Sequence, residues 1–231
     1  MKALCVVPAR GGSKRLPRKN VLDLCGKPLV GWSIEFAKSS GLFTKTVISS
    51  DDQEITDVAM QFGAETHGLR PSDLSGDMAS SIDVVRYELD QAEKDGEKYD
   101  FVALMQPTTP YRDLSRWVEA FDILKNNDTV PSVIGVREVE ETPYHMFDLG
   151  TDGEIKALFP DGLKMRSQDL PRTVVITGSM YIVRADALRR DHSLFFPTSR
   201  AVICQSDLES IDIDTADDFA KAELLLANAT V

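Results

Sequence analysis

The chain has 231 residues, 42% of them hydrophobic, and acidic residues exceed basic ones by 37 to 26. That length and composition suit one α/β domain with a packed core and exclude a disordered chain. The net charge of −11 disfavours nonspecific attraction to nucleic acid or anionic lipid, and no apolar run is long enough to cross a bilayer. The opening MKALCVVPARGG reads as a buried first strand, because no cleavage site of a signal peptide follows it. Cys5, Cys25 and Cys204 are odd in number and lack ligand spacing. Neither a disulfide framework nor a zinc site is indicated, and a cytoplasmic location is expected.

In chain order, residues 3–8 form an apolar run suited to a buried strand, and a helical pattern follows at about 28–40. A second strand is expected at 45–49, then helices at 52–62 and 78–94, the latter carrying Ile82, Val85 and Leu89 at helical spacing. Strands at 100–105 and 130–136 flank a helix at 114–125. This alternation predicts a mostly parallel sheet covered on both faces, with ligands bound beyond the carboxyl ends of the strands. The rhythm breaks at residues 138–178, which are rich in Pro, Asp, Glu, Thr and Gly. Forty irregular residues are too many for a plain loop, so this stretch is expected to be an inserted subdomain or dimerisation arm. A strand at 179–183, a short helix at 185–190 and a strand at 200–204 follow. A final amphipathic helix is expected at about 215–227, with Phe219, Ala222 and Leu226 on one face.

Four segments carry chemistry. Directly after the first strand, PARGGSKRLPRKN holds Arg10, Lys14, Arg15, Arg18 and Lys19 within ten residues. By charge alone a solvated basic loop accounts for the run. Gly11 and Gly12 change that balance, because they permit backbone conformations that present successive N–H groups to phosphate oxygens. The segment is neither a P-loop nor G-x-G-x-x-G. The second segment, LRPSDLSGDMASS (69–81), is a polar loop in which Ser80 or Ser81 is placed to cap the next helix. The third, LMQPTTPYR (104–112), puts Gln106, Thr108, Thr109 and Arg112 where strand becomes loop. The fourth is Ser210-Ile211-Asp212-Ile213-Asp214, read as an extended strand with both carboxylates on one side. Paired carboxylates suit Mg²⁺, which takes few protein oxygens together with phosphate and water. Asp214 or Thr215 also suits a helix N-cap, with Asp217 and Asp218 favouring the dipole. His67, His145 and His192 form no evident catalytic or metal arrangement.

Taken together in this order, the four segments resemble the signature of the acylneuraminate cytidylyltransferases, the CMP-sialic acid synthetase family, over nearly the whole chain. The resemblance implies a three-layer, Rossmann-like nucleotidyltransferase fold, CTP as substrate, Mg²⁺ or Mn²⁺ as cofactor, and a homodimer built on residues 138–178. It implies a reaction in which the anomeric hydroxyl of an acidic nine-carbon sugar attacks the α-phosphorus of CTP. Arg10, Gly11, Gly12, Ser13, Lys14, Lys19 and Asn20 would hold the nucleotide, with Arg10 on the leaving phosphates and Lys19 on the α-phosphate. Arg70, Ala79 and Ser81 would read the cytosine. Gln106, Thr108 and Thr109 would meet the sugar, joined by Arg166 and Gln168 of MRSQDLP from the partner chain. Asp212 and Asp214 would ligate the metal, completing with Arg10 and Lys19 the catalytic set.

Two positions depart from the family pattern. Thr177 stands where an asparagine precedes glycine in sialic acid enzymes, and Val175 replaces an arginine found in some members. The implied acceptor therefore widens to related nonulosonic acids such as legionaminic or pseudaminic acid. A CMP-Kdo synthetase and a non-catalytic CTP- or CMP-sugar-binding regulator are the alternatives. The Lys19-Asn20 ending and the Gln106-Pro107-Thr108-Thr109-Pro110 run weigh against the first, and the intact charged set weighs against the second.

Overall fold

The computed structural model describes residues 1–76, 79–94 and 96–229. Its elements in chain order are β1 (Ala3–Pro8), a hairpin of β2 (Asp23–Leu24) and β3 (Lys27–Pro28), α1 (Leu29–Ser39), β4 (Lys45–Ser49) and α2 (Gln53–Gln61). Then come α3 (Ser81–Lys94), β5 (Phe101–Leu104), α4 (Leu114–Asn126), β6 (Ser132–Glu138), β7 (Phe147–Leu149) and β8 (Ile155–Ala157). The chain ends with β9 (Val174–Arg184), α5 (Ala185–Asp191), β10 (Arg200–Ile203), α6 (Asp207–Ser210) and α7 (Ala216–Ala229).

Six strands form one sheet in the order β10-β6-β9-β5-β1-β4. β1 runs parallel to both β4 and β5, β10 runs parallel to β6, and β9 is reversed, pairing antiparallel with β5 and β6. Successive residues of a strand point to opposite faces, and β1 divides accordingly. Ala3, Cys5 and Val7 join a core under α1, α2 and α4, whereas Leu4 and Val6 join a second core under α3 and α5. The first core is closed by Phe36, Phe43, Trp117 and Phe121 in edge-to-face and tilted contact, with centroids 5.6–5.7 Å apart, a geometry that adds to the burial itself. The three-layer α/β fold expected from the alternation is the one found.

Four details differ from the sequence reading. β9 begins at Val174, so the irregular stretch is shorter by its last residues, which pair with Val136, Arg137 and Glu138 of β6. What remains of it folds as the small antiparallel β7–β8 hairpin with 3₁₀ turns at Pro143–His145, Gly162–Lys164 and Ser167–Asp169. Helix α3 starts at Ser81, its Ser80 Oγ accepting the Ile82 N–H; the expected start at Met78 lies outside the described residues. Finally, residues 210–214 do not join the sheet: Ser210 ends α6, and the chain then runs outside it towards α7. The alternation nevertheless holds, because Ile211 and Ile213 are buried against Leu24, Leu29, Ala222 and Leu226 while Asp212 is exposed and Asp214 half-buried. Hydrophobic anchoring to α7 supplies what a sheet neighbour would otherwise provide.

Candidate active site

The carboxyl ends of β1, β4 and β5 lie side by side, with Pro8 opposite Ser49 and Val6 opposite Leu104. The loops that leave these ends enclose a cleft of about 470 Å³, where this architecture places its ligands. One wall is the segment after β1. It brings Arg10, Ser13, Lys14, Lys19 and Asn20 to the cleft, together with Arg15, which the sequence counted among the cations but not among the binding residues.

Lys19 is buried. Its Nζ donates to the Ile213 carbonyl at 2.7 Å and to Asp214 Oδ1 at 2.9 Å, and Asp214 Oδ2 accepts from Arg15 at 2.6 Å. The carboxylate thus ties the first loop to the segment before α7, across nearly the whole sequence. Asn20 Nδ2 donates to the Arg10 carbonyl at 3.0 Å and fixes the turn that carries Arg10. Arg18 has a different job. It adopts a left-handed backbone (φ 58°) and pairs with Asp52 at 2.5 Å and with Glu54, holding the loop to the start of α2. Asp52 also caps α2 by accepting the Ile55 N–H at 3.1 Å. The Arg18 hydrogen bond, supported by that cap, holds the Asp52 carboxyl below its usual range.

Gly11 and Gly12 do not line the cleft among its described walls. The Gly11 N–H donates to Asp51 Oδ1 at 2.9 Å, and a Cβ on Gly11 would lie 2.6 Å from Asp52 Oδ2. Close approach to the acidic pair after β4 explains this glycine. Asp51, which the sequence reading passed over, also faces Arg70 at 4.0 Å. The signal was available as two successive aspartates at a strand end.

The opposite wall is the 69–81 segment, where Arg70, Ala79 and Ser81 line the cleft as expected. Arg70 is buried; its N–H donates to the Ser50 carbonyl at 2.7 Å and its Nε to Ser75 Oγ at 3.3 Å. Burial lowers its affinity for the proton, opposed by Asp51 and Glu88. Glu88 itself is buried and accepts or shares a hydrogen bond with His67 Nδ1 at 2.8 Å. Leu74, Ser75, Gly76 and Val84 complete this wall and were not singled out from the sequence; the first three lie within the quoted motif, and Val84 lies in the helix after it.

The floor is the loop after β5, from which Gln106 and Thr108 reach the cleft. Thr109 is fully buried behind them, its hydroxyl without a partner among the described residues. The Thr108 carbonyl accepts the Ile213 N–H at 2.8 Å and so joins this loop to the acidic segment. Gly178, at φ 79°, lets β9 pass close beneath, since a Cβ there would sit 3.2 Å from Gln106 Oε1. Thr177 is buried and donates or shares hydrogen bonds with Gly135 and Ser179, whereas Val175 is exposed. Arg166 and Gln168 lie in the insertion outside the cleft, Arg166 pairing with Asp169 at 2.6 Å.

The acidic segment supplies the possible metal ligands. Among the described residues no cluster of three or more His, Cys, Asp or Glu side chains is placed to hold a metal; Asp212 and Asp214 are a pair. Of the two, Asp214 lines the cleft, whereas Asp212 is exposed and is not among its lining residues; a carboxylate oxygen at the edge of a polyphosphate-sized cleft suits Mg²⁺, which keeps most of its shell as phosphate and water. Asp214 would have to exchange an ion pair with Arg15 or Lys19 to ligate. Asp217 and Asp218 divide: Asp218 Oδ2 accepts from the N–H groups of Asp214 and Thr215 at 3.1 and 2.8 Å, and Thr215 Oγ1 accepts the Asp218 N–H. Thr215 is therefore the N-cap of α7.

The cytidylyltransferase family model matches residues 4–145, the part of the chain that builds all three walls of the cleft except the acidic segment. The chain belongs to the cytidylyltransferase family. It is 35% identical over 225 residues to a pseudaminic acid cytidylyltransferase of Campylobacter jejuni, covering 97% of this chain and 96% of that one. It is also 35% identical over 228 residues to a CMP-N,N'-diacetyllegionaminic acid synthase of Legionella pneumophila, covering 98% and 97%. A solved CMP:2-keto-3-deoxy-manno-octonic acid synthetase complexed with CTP superposes with a TM-score of 0.74 at 18% identity, over 99% of this chain and all of that one. At that identity the likeness concerns the fold. The family expected from the four segments is the one that matches.

Proposed function

We propose that this cytidylyltransferase transfers CMP from CTP to the anomeric hydroxyl of a sialic-acid-like nonulosonic acid. The observation that carries the reading is the cleft in which Arg10, Lys14, Arg15, Lys19 and Arg70 meet Gln106 and Asp214. In the reaction the hydroxyl oxygen forms a bond to the α-phosphorus, the bond from that phosphorus to the bridging oxygen breaks, and pyrophosphate leaves. Charge grows on the transferring and leaving oxygens, so fixed cations supply most of what the protein contributes.

Arg10 holds the β- and γ-phosphates, Ser13 and Lys14 complete the cradle, Lys19 meets the α-phosphate, Asn20 contacts the nucleotide, and Arg70, Ala79 and Ser81 read the base. Lys19 is well suited: two of its three donors are occupied by Ile213 and Asp214, which aim it without an induced rearrangement. Gln106 and Thr108 position the sugar, while Thr109, fully buried behind them, does not reach it. Asp212 and Asp214 would hold Mg²⁺, which supplies charge neutralisation on phosphate and acidification of a hydroxyl. The relatives named above act on pseudaminic and legionaminic acids by name, and the substitutions at Val175 and Thr177 support an acceptor other than N-acetylneuraminate.

We further infer a homodimer through residues 138–178. The β7–β8 hairpin carries Leu149 and Ile155 at 76% and 64% exposure beside Phe147 and Phe159, an apolar surface that calls for a partner. Such a partner would bring Arg166 and Gln168 to the neighbouring cleft. A cytoplasmic site of action is supported by three unpaired cysteines and by dependence on CTP; no helix among the described residues is long and apolar enough to cross a membrane.

The test is pyrophosphate release with CTP and Mg²⁺ against pseudaminic, legionaminic and N-acetylneuraminic acids and Kdo, with Asp212→Ala as control. Release with a nonulosonic acid, lost in the control, is the expected result. Release with Kdo alone, or CTP binding without turnover on any acceptor, would overturn the reading.

A further inference from the structure

The structure contains a cation that the reaction above leaves unused. Arg112 is buried to 7% exposure, and its guanidinium faces backbone carbonyls. Nη2 donates to the Gln106 carbonyl at 2.7 Å, Nη1 to the Pro110 carbonyl at 3.3 Å and Nε to the Ser179 carbonyl at 3.3 Å. The site is dry enough that burial pushes the guanidinium down to about 9.

Burying a charge among carbonyls is costly, and a loop that needed only an anchor would be held as well by an apolar side chain. What the guanidinium alone provides is a rigid fork whose donors span separate acceptors. Here the three acceptors belong to both ends of one loop and to the reversed strand β9. Pro107 and Pro110 have no N–H, so residues 106–110 cannot be secured through a regular ladder. The Arg112 fork takes that place.

Two contacts make the clamp matter for chemistry. On one side Gln106 Oε1 rests against Gly178, the residue just before Ser179, so the carbonyl that Arg112 grips sits directly beneath the acceptor side of the cleft. On the other side the Thr108 carbonyl, in the middle of the clamped loop, holds the Ile213 N–H between Asp212 and Asp214. The Ile213 carbonyl in turn receives Lys19. The loop is thus the bridge between acceptor and phosphate halves of the site.

We propose that Arg112 is a positioning residue: by clamping residues 106–110 to β9 it sets the register between Gln106 and the Asp212–Asp214 segment, and so between acceptor and nucleotide. The inference rests on the function proposed above. It concerns the acceptor more than CTP, because Arg10 and Arg70 stand on the other two loops.

The experiment compares wild type with Arg112→Met and Arg112→Lys, measuring pyrophosphate release for kcat and acceptor KM, CTP affinity by calorimetry without acceptor, and thermal melting. Arg112→Met is expected to raise acceptor KM and lower kcat by about tenfold or more, with CTP affinity within about twofold of wild type. Arg112→Lys, which can serve Gln106 but cannot span to Ser179, falls between. If Arg112→Met does not fold, the lysine variant carries the same comparison alone. A variant that melts lower yet keeps acceptor KM and kcat, or one whose CTP affinity falls as far as its acceptor KM rises, overturns the proposal. A wild type that turns over no acceptor overturns the function instead, a distinct outcome.

Discussion

Lys19→Met removes one ammonium and keeps most of the side-chain volume, so its two effects can be separated by magnitude. The first is on folding. Nζ makes one bond to a carbonyl and one to a carboxylate, at 2.7 and 2.9 Å. Hydrogen bonds to charged groups contribute about 1.5–3 kcal/mol. Asp214 retains Arg15 and some access to water, which places the loss at the lower end, about 1.5–2 kcal/mol. The second effect is on the chemical step. A preorganised donor aimed at developing phosphate charge is worth about 3–4 kcal/mol, so kcat should fall by about 10²–10³. Pyrophosphate release at saturating CTP, on protein shown to be folded by its melting curve, reads the second effect without the first. Lys19→Arg restores charge but not the single-point geometry and is expected to recover part of the loss. A Lys19→Met enzyme with kcat within tenfold of wild type would refute the assignment of Lys19 to the α-phosphate.

Asp52→Asn keeps the helix cap and removes the charge that Arg18 grips. Because the folded carboxyl titrates below its ordinary value, the stability it contributes is present above the unfolded pKa of about 3.9 and disappears as pH falls through the folded value. The variant should be less stable by about 0.5–1 kcal/mol at pH 7, a gap that closes below about pH 4; denaturant curves across that range that keep a constant gap would contradict the linkage. Gly178→Ala places a methyl group 3.2 Å from Gln106 Oε1 on a left-handed backbone. It should cost about 1–2 kcal/mol in melting experiments and raise acceptor KM while CTP affinity stays unchanged.

The layered fold was legible because it follows from local rules. Buried strands such as residues 3–8 and amphipathic helices such as Ser81–Lys94 declare themselves by periodicity, and their alternation leaves few topologies. The reversed strand β9 was not legible in its direction or its length, since Val174–Ile176 pair with β6 only through contacts distant in sequence. The segment at 210–214 shows the opposite limit. Its alternation of Ile and Asp places the two kinds of side chain on opposite sides as expected, but the segment is no strand, because a period of two needs one apolar neighbour, here α7, and not a sheet. The roles of the cations could not be separated in one dimension. Arg18 and Lys19 are adjacent in sequence, yet one turns to α2 and the other to the cleft, a difference set by the positive φ of Arg18.

That separation bears on how so acidic a chain accommodates a polyanion. Arg15 and Lys19 share Asp214, Arg18 holds Asp52 and Glu54, and Arg70 faces Asp51. The cleft is therefore cationic at its lining and carboxylate-bound just behind it. Those carboxylates offset the mutual repulsion of the cations and fix their positions before any ligand arrives, which is the condition for electrostatic stabilisation without reorganisation. The proposed metal role would give Asp214 two functions that pull against each other. As a counter-ion it places Lys19 and Arg15; as a metal ligand it would have to loosen at least one of them. Arg15, two-thirds exposed where Lys19 is buried, is the partner that can leave with less rearrangement. Metal ligation by Asp214 would then release a guanidinium at the mouth of the cleft while Lys19 stays anchored by the Ile213 carbonyl, so the same carboxylate that restrains the phosphate loop could hand one of its cations to the nucleotide.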